Sequence, residues 1–312
     1  MSSGRSVMLK RGEGDAHWVV GDHVTVKVGA TETAGQFAMC ELYPWPEAGP
    51  PPHVHRLDDE WFYVVEGDFT FMLEETIVRG GPGLAVYLPK GRVHQYRNVG
   101  TQPGRLLVFT TPSGFDAFIR ESGVAAPPFP TAMAPVTPEL VERVMAVLPK
   151  YGIEFQPEAR ATKHITLPID RHRWVLGELV NIKLTGNETN GNFTVAEITS
   201  PPGGGPPPHL HRKMGELFYV LEGEYEFGVA DRVERVTVGA TIYAPPGVAH
   251  YYENVGTSRA RLIDVHTPGF FEAFFEEMGL PATDLQTPPQ ETIDPQRVVT
   301  MIEKHGMELV NV

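Results

Sequence analysis

The sequence predicts an all-β protein built from two tandem antiparallel sandwiches or barrels. Three observations carry that prediction: a period-two alternation of β-branched and aromatic residues, turn residues recurring about every ten positions, and an internal repeat spanning both halves. The 312 residues include 32 Gly and 29 Pro, which favours short strands joined by turns over long helices.

The strands fall in order. Segments 23–28, 60–65, 68–73, 84–88 and 105–109 alternate and lie between turn residues. Segments 216–221, 224–229, 241–244 and 261–265 repeat the reading in the second half. Two helices are predicted to follow each sheet block. Residues 115–122 end before Gly123, read as a C-terminal cap glycine, and their counterpart runs over 270–278 before Gly279. The second helix of each half starts at a proline behind a capping residue: Pro138 after Thr137, running to about Lys150, and Pro295 after Asp294, ending near His305. These helices are expected to pack outside the barrels as scaffold.

The repeat is gapless over about a hundred residues at an offset of 156. Trp18 pairs with Trp174, Phe62-Tyr-Val64 with Phe218-Tyr-Val220, Asn98-Val-Gly-Thr101 with Asn254-Val-Gly-Thr257, and Thr111-Pro112 with Thr267-Pro268. Domains of residues 1–156 and 157–312, each with trailing helices, follow from this.

Composition narrows the function. A net charge of −13 argues against nucleic acid, whose phosphates require clustered Lys and Arg. Cys40 is the only cysteine, so neither an intrachain disulfide nor a thiolate metal cage can form. The N-terminus has no apolar core of signal-peptide length, and no apolar run approaches the ~18 residues of a membrane span. A cytoplasmic enzyme acting on a small molecule is the expectation.

The repeat carries one constellation twice: His53, His55, Glu60 and His94, then His209, His211, Glu216 and His250. Histidines two apart on a strand point to one face, and closing the sheet can bring the glutamate and third histidine to the same point. Three imidazoles and a carboxylate suit a divalent transition ion, with positions left open for chemistry. Glu60 and Glu216 are the nearest general bases at each site. Strand phase suggests that Phe37, Met39, Phe62, Phe71, Tyr96 and Phe109 wall the first pocket, and Phe193, Phe218, Phe227 and Tyr252 the second. Trp45, whose repeat partner is Pro201, is expected to differentiate the two mouths. Asp58 and Asp59 read as solvated turn residues, and His17, His23, His164, His172 and His305 as surface or cap residues. His266, whose repeat partner is Thr110, reads as a hydrogen-bonded structural histidine that could face the second pocket. Asn98 and Asn254 read as backbone-bonding turn residues.

The pattern resembles the cupin superfamily. Its first motif is met by His53, His55, Glu60 and Gly67, and by His209, His211, Glu216 and Gly223, with the leading glycine one residue close at Gly49 and Gly205. Its second motif is met by Gly83, Pro89, Gly91, His94 and Asn98, and by Gly239, Pro245, Gly247, His250 and Asn254. Within the superfamily the Pro-Pro-His-x-His lead-in and the Phe-Tyr-Val strand look most like two-domain proteins related to quercetin 2,3-dioxygenase. The resemblance implies two jelly-roll barrels with a few peripheral helices, one divalent metal per domain (iron first, with Mn, Ni, Co, Cu or Zn as alternatives), and a dioxygenase using O2 on an enolised or polyphenolic, flavonol-like substrate. A non-oxidative isomerase or decarboxylase, or a pirin-like metal-containing binding or sensor protein, are the rival readings. A homodimer is compatible with either.

Overall fold

The computed structural model describes residues 4–164, 171–289 and 294–310. By packing the chain divides into two compact units, Gly12–Pro168 and a second built from Met1–Arg11 with Ile169–Val312.

In the first unit two mainly antiparallel sheets enclose the core. One runs, in spatial order, Val124–Ala125, Asp15–Val19, Asp22–Val28, Ala38–Tyr43, Arg105–Thr111, Asp59–Glu66 and Ala85–Leu88. The other runs Ile153–Phe155, His53–His55, His94–Asn98, Phe69–Leu73, Thr76–Gly80 and Lys163–His164. Between them Cys40, Leu42, Phe62, Val64, Phe71, Tyr96 and Val108 form one apolar cluster with Phe118 and Ile119 of the helix Phe115–Ser122. Each such side chain contributes roughly 1.5–3 kcal/mol through burial.

The larger sheet is buried on both faces. Trp61, Tyr63, Leu107 and Phe109 alternate with the core residues, and each is at most 1% exposed. This removes the polar outer face that would mark which residues point inward.

The second unit repeats the plan. Its larger sheet holds Gly215–Glu222 between Thr241–Ala244 and Ala260–Thr267, and its smaller sheet places His209–His211 beside His250–Asn254. The segment Val7–Leu9 joins the larger sheet at its edge, antiparallel to Thr241–Ala244.

The trailing helices form as predicted at Phe115–Ser122, Pro138–Val147, Glu272–Met278 and Pro295–Lys304. Thr137 accepts from the Leu140 N–H, and Asp294 from the Gln296 N–H. Gly123 departs from expectation. Its φ is −85°, so no left-handed cap forms, and a Cβ there would stand 2.7 Å from the Ile119 carbonyl oxygen. Close approach, rather than backbone handedness, is what requires glycine at that position.

Candidate metal centres

The first histidine pair is placed by the chain ahead of it. Gly49 has φ +146°, and a Cβ there would sit 2.1 Å from the Tyr96 carbonyl oxygen, so only glycine lets this loop cross the strand that carries His94. Gly205 repeats the arrangement against Tyr252. His53 then pairs directly with His94 across the smaller sheet, and Glu60 enters from the larger one.

The structure brings together all four residues of each set. Within each set, one ligand atom per residue lies within 4.8 Å of every other, and all eight residues are buried. In the first set His94 Nε2 is 2.9 Å from Glu60 Oε2, and His55 Nε2 is 3.8 Å from Glu60 Oε1.

The donor set fits a divalent cation. His53 Nδ1 lies 3.0 Å from the Pro51 carbonyl oxygen and His94 Nδ1 lies 2.9 Å from that of Arg92. A carbonyl oxygen only accepts, so both Nδ1 atoms carry a proton, which leaves each Nε2 as the ligand atom. Burial, reinforced by the neighbouring imidazoles, holds His53 down at about 3, which keeps it neutral. Burial alone would raise Glu60, but His55, His94 and His53 bring it to about 2, so it is ionised. Imidazole nitrogens and a carboxylate converging on one buried point are a donor set that a divalent cation satisfies.

His55 is held differently. Its Nδ1 lies 2.9 Å from Asp58 Oδ2, and Asp59 Oδ1 accepts from the Lys90 N–H. Both aspartates are buried, at 7% and 3% exposure, which corrects their reading as solvated turn residues. Asp58 fixes the ring and tautomer of a ligand histidine, an arrangement that strengthens metal binding. Asp58→Ala should weaken metal at the first centre by roughly 10- to 100-fold. Chelator competition on singly loaded protein measures this, and an unchanged midpoint would remove the role.

The second centre differs around the same ligands. Met214 stands at the repeat position of Asp58, and His211 Nδ1 is buried without a hydrogen-bond partner among the described residues. In compensation, two further groups enter from the strand Ala260–Thr267: Asp264, at the position of Val108, and His266, at that of Thr110. Glu216 turns Oε2 toward His250 at 2.6 Å and His211 at 2.9 Å, and Oε1 toward His266 at 3.3 Å. His266 thus faces the centre, stacked on Phe271 with ring centroids 3.8 Å apart. Burial, and then the charge of Glu216, push the Asp264 carboxyl well above the usual range. His23 is also corrected from a surface to a fully buried residue. Its Nε2 meets the Pro127 carbonyl oxygen at 2.7 Å, away from either centre. The side chain of His164 lies outside the described residues.

A cavity of about 520 Å³ opens on the first centre, where His53, His55 and Glu60 line it. Its walls are mostly apolar: Val24, Leu42, Phe62 and Val108 from the barrel strands, Phe115 and Phe118 from the first trailing helix, and Val141, Val144, Met145 and Leu148 from the second helical segment. These helices, expected to be scaffold, therefore form one side of the cavity.

Of the aromatic residues predicted to wall the first pocket, Phe62 and Tyr96 do so. Phe37, Met39 and Phe109 point to the other face of the larger sheet, where Phe37 stacks on Phe109 at 4.6 Å. Phe71 is packed 5.5 Å from Phe62 in the core, outside the cavity lining, and Trp45 is set back while Pro46 and Glu47 line the mouth. In the second unit Phe218, Phe227 and Tyr252 pack on one another at 5.2–5.6 Å inside the core, and Phe193 falls outside that cluster. The asparagines bind backbone as predicted: Asn98 Nδ2 donates to the carbonyls of Pro44 and Gln102, and Asn254 Nδ2 to those of Ser200 and Ser258.

Sequence reasoning missed one feature of the cavity. The Tyr96 hydroxyl donates to Asp22 Oδ2 at 3.0 Å, and both residues line the cavity. Burial raises the Asp22 carboxyl to about 6 even with that bond. The repeat offers the signal, since Asp22 aligns with Glu178 and Tyr96 with Tyr252, and Tyr252 donates to Glu178 at 3.1 Å.

Comparison with known proteins agrees with the duplicated architecture. Residues 43–110 and 196–266 each match the family described as Cupin domain. Quercetin 2,3-dioxygenase of Bacillus subtilis (strain 168) is 24% identical over 296 residues, covering 88% of this chain and 86% of that protein. A germin-like protein of Arabidopsis thaliana, subfamily 2 member 2, is 35% identical over 77 residues, 23% of this chain and 35% of that protein. Among solved structures, an oxalate decarboxylase variant of B. subtilis superposes with a TM-score of 0.59 at 16% identity, covering 86% of this chain and 79% of that one. The Lactobacillus farciminis oxalate decarboxylase formate complex gives a TM-score of 0.60 at 16% identity, covering 96% and 97%. At such identity these structures share the fold. No helix among the described residues is long and apolar enough to cross a membrane.

Proposed function

The chain is a two-domain cupin that resembles quercetin 2,3-dioxygenase, and on that premise we propose that it is a metal-dependent dioxygenase acting with O2 on an enolised or polyphenolic ring substrate of flavonol type, with the chemistry seated at the first centre. The supporting observation is the roomy apolar cavity that meets His53, His55 and Glu60. A planar aromatic enol buries well against Phe62, Phe115, Val108 and Leu148, whereas a small dianion would lose its hydration there with little in return.

The residues divide the work. His53, His55, Glu60 and His94 hold the ion, iron being our first expectation. A divalent ion bound there supplies Lewis acidity, which makes an enol hydroxyl easier to ionise. Glu60, ionised and lining the cavity, accepts the enol proton. A carboxylate held so low is a weak base, so it can act only on a hydroxyl whose acidity has already been raised. The walls from Phe62 to Leu148 keep bulk water from the ionised substrate. The second centre, enclosed by His266 and Asp264, serves structure or tuning in this reading.

Oxygen uptake decides the matter. Metal-loaded protein should consume O2 in step with substrate loss for at least one member of a panel of flavonols and 1,3-dicarbonyls. Conversion of a panel compound without oxygen uptake under anaerobic conditions would replace the proposal with a non-oxidative isomerase or decarboxylase. Binding without any turnover would favour a sensor.

A further inference from the structure

We infer that Asp22 is a recognition carboxylate, and that the cavity of the first unit takes a ligand carrying a hydrogen-bond donor, such as a phenolic hydroxyl, on the end remote from Glu60. The inference rests on the flavonol-type reading above and specifies which members of that class are preferred.

The position of Asp22 follows from the strand carrying His94. Tyr96 is two residues further along that strand, on the same face, so it stands roughly 6–7 Å past the metal cluster. Its ring packs against Phe62 at 5.4 Å, and its hydroxyl reaches across the barrel to Asp22 at the start of the strand Asp22–Val28. Asp22 and Glu60 therefore line one cavity with the Phe62–Tyr96 layer between them. A rigid ligand with its enol at Glu60 presents its other end to Asp22.

The second unit shows what a purely structural version of this pair looks like. There the carboxylate is Glu178, one methylene longer, bonded by both the Tyr252 hydroxyl and the Ser200 hydroxyl, with Tyr225 in turn donating to Ser200. In the first unit Pro44 occupies the position of Ser200 and Phe69 that of Tyr225. The supporting hydroxyls are gone and the carboxylate is shorter. Tyr96 engages Oδ2, and among the described residues no group donates to Oδ1. Asp22 is partly exposed where it lines the cavity, so its vacant Oδ1 is an acceptor open to a donor on the ligand, set among apolar walls where such a bond is stronger than in water.

Equilibrium binding under anaerobic conditions tests this with two ligands, the parent flavonol with an unsubstituted pendant ring and its analogue bearing a catechol there. Metal-loaded wild type should prefer the catechol ligand by about 10- to 100-fold, the range of a hydrogen bond to a charged group. Asp22→Leu should erase the preference for the catechol ligand over the parent flavonol while leaving the metal content unchanged. Asp22→Asn, which keeps the shape, should reduce the preference part of the way and provides the test if leucine impairs folding. No preference in wild type, or a preference that survives in both variants, overturns the inference alone. Failure of wild type to bind either ligand overturns the flavonol reading and this inference with it.

Discussion

Replacing His94 with alanine should take the protein from two metal ions per chain to one and abolish turnover. His94 supplies one of four donors at the first centre, and its Nδ1 is committed to the Arg92 carbonyl, so the Nε2 lone pair has no other task. Without it, His53, His55 and Glu60 offer an incomplete set, and Glu60 stays buried beside fewer partners. The second set, His209, His211, Glu216 and His250, shares no residue with the first and should keep its ion. Elemental analysis after exhaustive dialysis reads the ratio directly. An unchanged metal content would mean that the first cluster holds no ion. Loss of one ion with full activity would move the chemistry to the second unit.

Glu60→Gln separates holding from reacting. The amide oxygen can still face the ion, so the variant should retain metal, with lowered affinity, when the metal is supplied in excess. It cannot accept a proton, and loss of a positioned base reduces turnover by about 10²- to 10⁴-fold. The loss should appear in kcat with substrate affinity little changed, because the apolar walls that bind the ring are untouched. Metal-replete Glu60→Gln turning over at the wild-type rate would remove the proton-accepting role. The same substitution at Glu216 provides the control: if only the first unit reacts, Glu216→Gln should leave kcat near wild type while disturbing the second ion.

The metal ligands could be read from sequence because their geometry is local and copied. His-x-His on a strand fixes two donors on one face, and the same spacing to glutamate and third histidine in both halves excludes coincidence. The cavity walls were harder to read. Strand phase identifies inward residues only when one face is polar, and the sheet holding Phe62 also buries Trp61 and Tyr63, so alternation placed Phe37, Met39 and Phe109 on the wrong side. The helical wall from Val141 to Leu148 was missed because an amphipathic pattern shows that a helix has an apolar face without showing what it covers. Asp58 was misread since its environment, rather than its neighbours in sequence, makes it a partner of His55. Asp264 carried a signal that could have been used: a carboxylate at an inward position that is valine in the other copy.

The pairing of Val7–Leu9 with Thr241–Ala244 has a bearing on the order of assembly. Thr241–Ala244 lies next to Gly215–Glu222, the strand that carries Glu216, so the N-terminal segment covers what would otherwise be an open hydrogen-bonding edge of the second metal-bearing sheet. On the ribosome, residues 12–168 emerge before Thr241–Ala244 and contain every strand of their own barrel, so that unit can close early. Val7–Leu9 must wait for a partner made only after the whole first unit, a contact of very long sequence separation and correspondingly slow closure. The second barrel thus seals after the first, and the strand that seals it lies on the other side of the first barrel in the chain.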